Sequence, residues 1–425
     1  MFGGSDDDTL IGEDGNYNRI GGGGADIAFG GTGRDYIAGG VGDDNLLGGD
    51  GDDDISGGLD DDWSVEVRAK ITLEEIMSLL IKHLSGDEAY ARLASLNDTL
   101  FEAGQLSLLQ DPAWLLVLRD GLKCEPLCFI AEEAGETVGS LQLAFMQSPL
   151  FGRFLVSLPR LRTHSLQARS DEVRFALVNC AIAEANRRQV RFLELRHSKP
   201  ISHPLLSHVA ADKVHMGLKL SETADHQWHR LNSKVQGQIR KAEKLGFLHY
   251  QGGVELLPHF YAIYARRMAE LGTPVESECF LRALLTHFSG RAALHMVNAA
   301  TGPVAGALVL TGGGTTILYR LSVLTLHRPT AVGSLIHWLI IKEAIQSGST
   351  FLDLGRVTLN STTYNFKKKW GAQAWPCCWQ HYLRNGSPNQ LRRKSRGVGW
   401  LQWAWKRLPL ALTSRLGQWI SRGLP

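Results

Sequence analysis

At 425 residues the chain is too long for one hydrophobic core of ordinary size, so two or three domains are expected. Its formal charge of +2 hides a sharp division. Residues 1–62 hold 16 Asp/Glu against two arginines, whereas the rest holds 43 Lys/Arg against 27 Asp/Glu. The first 62 residues also hold 19 of the 46 glycines, which puts a boundary near Asp62 and Trp63. The six cysteines (Cys124, Cys128, Cys180, Cys279, Cys377 and Cys378) are scattered through the basic part. That dispersal excludes a dense disulfide scaffold and lacks zinc-site spacing, so they read as reduced thiols. There is no signal-peptide pattern at Met1 and no run of 18 apolar residues. Neither classical secretion nor a transmembrane helix is therefore expected.

In the acidic head, glycines recur every nine residues, at Gly3, Gly12, Gly21, Gly30, Gly39, Gly48 and Gly57. The clearest copies are GGTGRDYIA (30–38), GGVGDDNLL (39–47) and GGDGDDDIS (48–56), which resemble the RTX nonapeptide. Glycine tolerates left-handed turns, so Gly31, Gly33, Gly40, Gly42, Gly49 and Gly51 can turn backbone carbonyls inward. The sixth place supplies Asp26, Asp35, Asp44, Asp53 and Asp62 as hard oxygen ligands for Ca²⁺. The eighth place (Leu10, Ala28, Ile37, Leu46, Ile55) fills a thin core. Such an acidic segment cannot collapse unless cations neutralise it, so a parallel β-roll is expected with calcium and disorder without it. The second repeat is degenerate, with Tyr17 at the Asp place and Arg19 at the apolar place. RTX repeats more usually lie toward the C-terminus of exported proteins, and here they abut Met1. That leaves a gene fusion and an upstream start both open.

The basic body alternates helical and strand patterns. Residues 73–84 have apolar residues at helical spacing after Thr72 and Glu75. Residues 127–145 read as two strands, 175–188 as an amphipathic helix and 190–195 as a strand. The second half repeats the theme. Residues 231–245 form a very basic helix, 256–271 and 277–288 two more, and 292–297, 304–310 and 315–323 three strands. A long helix over 332–345 and a strand at Phe351 complete it. Two comparable α/β halves predict a duplicated domain with a cleft between them. The expected divisions are 1–62, 63–225, 226–390 and 391–425.

The stretch FLDLGRVTLNSTTYNFKKKWG (351–371) concentrates the candidate chemistry. It reads as a strand, a Gly-Arg corner, a polar loop, then aromatic and lysine residues. With IRKAEKLG (239–246), FYAIYARRMAELGTPV (260–275) and GPVAGALVL (302–310), it resembles the FemAB branch of the GNAT acyltransferase superfamily. It is most similar to the FemAB-like proteins of exosortase/PEP-CTERM exopolysaccharide loci. The resemblance implies two tandem GNAT-like domains. It also implies transfer of an acyl or aminoacyl group, from a thioester such as acyl-CoA or from aminoacyl-tRNA, onto an amine of an envelope precursor. Lys367 is singled out by its place in the F-K-x-x-W-G motif, to polarise the carbonyl or hold a phosphate. Arg356 can clamp a phosphate or carboxylate, and Asp353 can orient it. Tyr319 and Tyr364 are candidates for protonating a leaving group. Lys368 reads as phosphate-steering, and Lys234, Arg240 and Lys241 as a basic helix face for tRNA or a polyphosphate-linked lipid. The sequence departs from the family pattern after Leu158-Pro159, at Ser233 and Gln236, and at Val357-Thr358.

The tail interleaves Trp400, Trp403, Trp405, Leu408, Leu410, Leu412 and Trp419 with basic residues after RRKSR (392–396). This pattern suits an anionic membrane surface, with a helix docked on its own domain as the alternative. The leading expectation is thus an envelope-directed acyltransferase with a calcium-binding head, cytoplasmic and peripheral at the inner membrane, or exported if the head is native. The competing one is an RTX calcium-binding protein whose inactive body serves adhesion or scaffolding.

Overall fold

The computed structural model describes residues 2–6, 8–12, 15–24, 26–42, 44–50, 53–59, 63–65, 79–85, 88–93, 108–160, 166–197, 200–208, 213–384 and 398–424. Residues 1–80 and 81–425 form two compact units.

In the first unit the nine-residue period becomes a two-layer roll. Strands β1 (Phe2–Gly4), β3 (Asn18–Gly23), β5 (Tyr36–Val41) and β7 (Asp54–Leu59) form one parallel sheet. Strands β2 (Thr9–Ile11), β4 (Ile27–Thr32), β6 (Asn45–Asp50) and β8 (Trp63–Val65) form the other. Pairing steps by two repeats, Ile20 to Ala38 to Ser56. Leu10, Ala28, Ile37 and Leu46 are buried between the layers, with Ile55 packed against them. Glycine is obligatory at Gly40, whose φ is +121° and where a Cβ would collide with the Gly22 carbonyl.

The second unit holds two mixed sheets. The first runs β15 (Ser207–His208), β23 (Cys378–Leu383), β14 (Phe192–His197), β12 (Gly152–Ser157), β11 (Glu136–Ser148), β10 (Glu125–Glu133), β9 (Leu79–Ser85), with β13 (Leu166–Ala168) on β11. The second runs β17 (Leu248–Gly252), β18 (Ala292–Ala299), β19 (Gly302–Gly312), β20 (Thr315–Val323), β21 (Phe351–Thr358), β16 (Lys213–Lys219), β22 (Gln373–Pro376). A cut after residue 225 does not separate these sheets. Strand β16 lies before the cut yet pairs with β21, and β23 lies after it yet pairs with β14. Part of the helix expected over 73–84 is a strand, since 79–85 form β9; residues 73–78 lie outside the described residues. Lys82 pairs with Glu132 at 2.6 Å and His83 stacks on Phe129. These cross-strand contacts outweigh local helix preference.

The halves share one apolar core. Trp114 of α1 (Ala113–Leu122) packs on Phe288, with ring centroids 4.8 Å apart, and both are fully buried. A Cβ at Gly121 would lie 2.6 Å from the Cα of Phe280 in α6 (Glu278–His287), so glycine sets this close approach. The remaining helices used below are α2 (Asp171–Arg187), α3 (Ala224–Arg230), α4 (Ser233–Glu243), α5 (Leu257–Leu271), α7 (Val332–Gln346) and α8 (Thr362–Lys368). Two more close the chain, α9 (Val398–Trp405) and α10 (Leu410–Arg422). No disulfide forms among the six cysteines.

The C-terminal helix docks on its own domain. Thr413, Gly417 and Ser421 share one buried face of α10, and a Cβ at Gly417 would lie 2.8 Å from the Val275 backbone nitrogen. Glu278 donates its backbone N–H to Gln418 at 3.3 Å, and Arg160 donates to the Ser421 carbonyl. Leu412, Leu416 and Trp419, spaced four and three residues apart, are left on the exposed side. Among the described residues no helix is long and apolar enough to cross a membrane.

Candidate functional site

The centre of the second sheet is split. Strands β20 and β21 run parallel and pair only from Thr315–Phe351 to Ile317–Asp353. Beyond that point each keeps its outer neighbour but not the other, so the sheet opens into a wedge. Both strands bulge at the opening. On β20, Leu318 and Arg320 face consecutive residues of β19, leaving Tyr319 as the extra residue. On β21, Asp353 and Gly355 face consecutive residues of β16, leaving Leu354 as the extra one. Bulges re-aim side chains and end pairing. Gly355, at φ +89°, takes a turn that other residues resist.

The wedge opens into a cleft of about 1140 Å³. Among the described residues, nine Lys/Arg line it (Arg160, Arg196, Lys241, Arg267, Arg320, Arg328, Arg356, Lys367 and Lys369), and none of the lining residues is acidic. Glu276 lies behind the wall, fully buried. Burial pushes its pKa up, but Arg320 and Arg160 outweigh that and hold it below the usual range. Arg320 bonds it in a fork at 2.5 and 2.7 Å. Glu194 sits likewise beneath Arg196, 2.6 Å away, with His381 at 3.0 Å. Its pKa is lowered to about 2 because these neighbours overcome its burial. Lys241, Arg328, Arg356 and Lys369 have no ion-pair partner among the described residues. A low-dielectric cleft with one sign of charge focuses its field on an anionic ligand.

The sequence candidates separate into two groups. Lys367 is buried at the wall and donates to the Leu354 carbonyl, at the extra residue of the β21 bulge. Arg356 lies over the Trp379 ring, 4.0 Å from its centroid, and Arg196 lies 4.2 Å from the same ring. Burial and the neighbouring Arg196 charge lower the Arg356 pKa to about 10, which still leaves it a cation at neutral pH. Tyr319 lines the cleft with its hydroxyl buried and without a hydrogen-bond partner. Burial and then Glu276 raise its pKa, so it stays protonated. Lys241 also reaches the cleft, where it donates to the Pro329 carbonyl at 3.0 Å. Asp353 does not line the cleft. It accepts the Gly355 N–H at 2.8 Å and faces His215 at 3.3 Å, so it holds the corner carrying Arg356 through the backbone. Tyr364 packs into the second core on α8, a helix capped by Ser361 where the sequence reads as a loop. Lys368, Lys234 and Arg240 are exposed and line no part of the cleft.

Sequence reasoning missed most of the wall. Arg160, Arg196 and Trp379 belong to the first sheet and its loops, and strand exchange delivers them to a site in the second half. The alternation Glu194–Arg196 on one face of β14 was the available signal. His337 was also missed. Its ring stacks on Trp370 and donates Nδ1–H to the Gly333 carbonyl at 2.7 Å. Burial, opposed by that bond and aided by Lys367, lowers its pKa to about 4, so it is neutral at pH 7.

In the roll, the aspartates form a ladder two repeats apart. Asp8, Asp26 and Asp35 donate backbone N–H groups to Oδ1 of Asp26, Asp44 and Asp53 at 2.8 to 2.9 Å. Oδ2 of Asp26, Asp35 and Asp53 is buried without a hydrogen-bond partner. Buried carboxylate oxygens left in this state fit a hard cation. Among the described residues no three ligating side chains converge. Asp62 and Gly51 lie outside the described residues. Gly31 and Gly49 pair across β4 and β6, while Gly33, Gly40 and Gly42 all have positive φ.

Residues 229–368 match the acetyltransferase (GNAT) domain family, and residues 1–16, 20–55 and 29–63 match the RTX calcium-binding nonapeptide repeat. The fold is similar to the crystal structure of FemX, with a TM-score of 0.56 and 14% identity over 73% of this chain and 99% of that one. A tandem GNAT protein from the clavulanic acid biosynthesis pathway aligns at TM-score 0.48 and 16% identity, covering 72% of this chain and 100% of that one. L-PGS from Bacillus licheniformis aligns at 0.48 and 12%, covering 75% and 97%. No curated protein matches the sequence. The body is therefore an α/β pair of tandem GNAT-like domains preceded by a parallel β-roll of RTX repeats.

Proposed function

We propose that the body transfers an acyl or aminoacyl group to an amine of a cell-envelope or exopolysaccharide precursor, and that the head binds calcium. The observation carrying this reading is the wedge between β20 and β21, which leaves unpaired strand edges facing a cleft lined by nine cations and no acid. A strand edge in such a gap can hydrogen-bond an acyl-amide chain, and the cations suit the phosphates of acyl-CoA or aminoacyl-tRNA. In the step itself, the acceptor nitrogen attacks the donor carbonyl carbon. The C–S or C–O bond then breaks, the nitrogen loses a proton and the leaving sulfur or oxygen gains one. Lys367 is set to stabilise the charge developing on the carbonyl oxygen. Tyr319 is kept protonated and can give its proton to the leaving sulfur or oxygen, to be restored by the proton the nitrogen loses, while Arg356 and its neighbour Arg196 hold the anionic part of a substrate. Asp353 positions the Arg356 corner. Calcium, bound by Asp26, Asp35, Asp44 and Asp53 with turn carbonyls, would neutralise the head and let it pack. Incubating the full chain with labelled aminoacyl-tRNA or acyl-CoA and an amine-bearing precursor tests the reading. Label in the precursor supports it, and no transfer from either donor class removes it.

We further propose that the C-terminal helices rest on an anionic membrane, placing the cleft beside a lipid-linked acceptor. Support comes from the outward Trp403, Leu412, Leu416 and Trp419. Charge points the same way, because Asp353 is the last acidic residue and 13 Lys/Arg follow it. This localisation is peripheral and on the side where the donors are made.

A further inference from the structure

The second repeat of the head breaks the RTX pattern twice, at Tyr17 and Arg19, and the two departures turn out to be coupled. Arg19 lies on β3 at the inward place held by Ile37 on β5, and it is only 2% exposed. A buried guanidinium needs a counter-charge. Arg19 finds it in Asp35, with Nη1 3.2 Å from Oδ1, and both side chains are buried. Asp35 Oδ1 also accepts the Tyr17 N–H at 2.9 Å, so it belongs to the same ladder that the other repeats build.

The location of the guanidinium is informative. In the third, fourth and sixth repeats, the carboxylate oxygen Oδ2 of Asp26, Asp35 or Asp53 lies against the first glycine of its own repeat. A Cβ at Gly21, Gly30 or Gly48 would meet that oxygen. In the second repeat Tyr17 provides no carboxylate, and a Cβ at Gly12 would instead overlap the Arg19 guanidinium. A positive group therefore occupies the place where the other repeats put a cation ligand, and it reaches the aspartate two repeats on. Tyr17 covers it, with its ring centroid 4.7 Å from the Arg19 Cζ.

We propose that Arg19 is a built-in cation replacing one calcium ion of the β-roll, pinning the second repeat to the fourth at any calcium concentration. Repeat arrays fold by propagation from a formed neighbour. The Arg19–Asp35 pair thus gives the roll a seed that does not depend on metal, and it lowers the calcium needed to order the remaining repeats.

The inference rests on the head binding calcium, and the experiment separates the two. In the full chain, calcium bound per protein is counted by equilibrium dialysis, and roll formation is followed by far-UV circular dichroism during calcium titration. Arg19→Leu restores the apolar residue of the repeat, so the core remains filled. It is expected to raise the calcium midpoint several-fold without adding an ion. Tyr17→Asp with Arg19→Leu restores the full repeat and is expected to bind one more ion than the parent. A parent chain that binds no calcium removes the calcium reading of the head. A parent that binds calcium, with an Arg19→Leu midpoint unchanged or lowered, or a double variant with no extra ion, overturns the role given to Arg19 alone.

Discussion

In the roll, buried carboxylates recur at fixed spacing on one short segment, and each accepts a backbone N–H from two repeats earlier in sequence. In the cleft, nine cations among the described residues converge from as far apart as Arg160 and Lys369, and Arg196 and Arg320 have their counter-charges set behind the wall. Both regions accumulate one sign of charge, which a folded chain tolerates only if something neutralises it. The roll leaves Oδ2 of Asp26, Asp35 and Asp53 without a hydrogen-bond partner among the described residues, and on the reading proposed above a cation would complete its structure. The cleft pairs Arg196 and Arg320 with buried carboxylates of its own. On the proposed reading the first arrangement would couple ligand binding to folding, and the second would separate them.

Chelation is the most direct way to break this comparison. Removing calcium is expected to abolish most of the roll's β signal while the thermal transition of residues 81–425 stays in place, as differential scanning calorimetry can show. If the body melts with the head, the distinction is wrong. Next in size is Lys367→Ala, expected to reduce transfer by roughly 10²-fold, the scale for losing one charge-stabilising donor. An unchanged rate would remove Lys367 from the chemistry.

Acid probes the body's buried histidines. Burial lowers His295 and His337 to about 4 from an ordinary 6.5. Between these values the unfolded chain binds more protons, so stability is fully present above pH 6.5 and falls as pH drops toward 4. The loss is on the order of 3 kcal/mol per histidine. Urea midpoints across that range measure it, and His337→Gln should flatten the slope. Smaller still is Gly417→Leu, which forces α10 off Val275 and is expected to cost about 1–3 kcal/mol of body stability. Finally, Leu416→Asp with Trp419→Asp changes only the outward face. It is expected to leave stability within about 0.5 kcal/mol yet abolish flotation with anionic liposomes. Flotation that persists, or that occurs equally with neutral lipid, counts against the membrane surface.

The two regions also differ in how far they could be read from sequence. The roll was legible almost residue by residue, because every determinant of a repeat lies within nine positions of the next. What escaped was the contact of Arg19 with Asp35, which depends on pairing between alternate repeats. In the body, much of the order of helices and strands was visible, though not β9 or α8, and Lys367 and Arg356 do reach the cleft. Lys368 and Tyr364 do not, since α8 turns neighbouring residues to different faces, a consequence of helix geometry that a presumed loop conceals. Arg160, Arg196 and Trp379 could not be placed from local pattern, because no short-range signal records that β23 returns to the first sheet.

That return has a consequence for how the protein is made. Pairing Leu193 with Tyr382 joins segments far apart in sequence, so the first sheet cannot be completed until β23 has left the ribosome. The roll, with its partners two repeats apart, can assemble far earlier, whereas the wall formed by Arg196, Trp379 and Arg356 comes last. A nascent chain therefore carries an incomplete cleft until β23 has emerged to pair with β14.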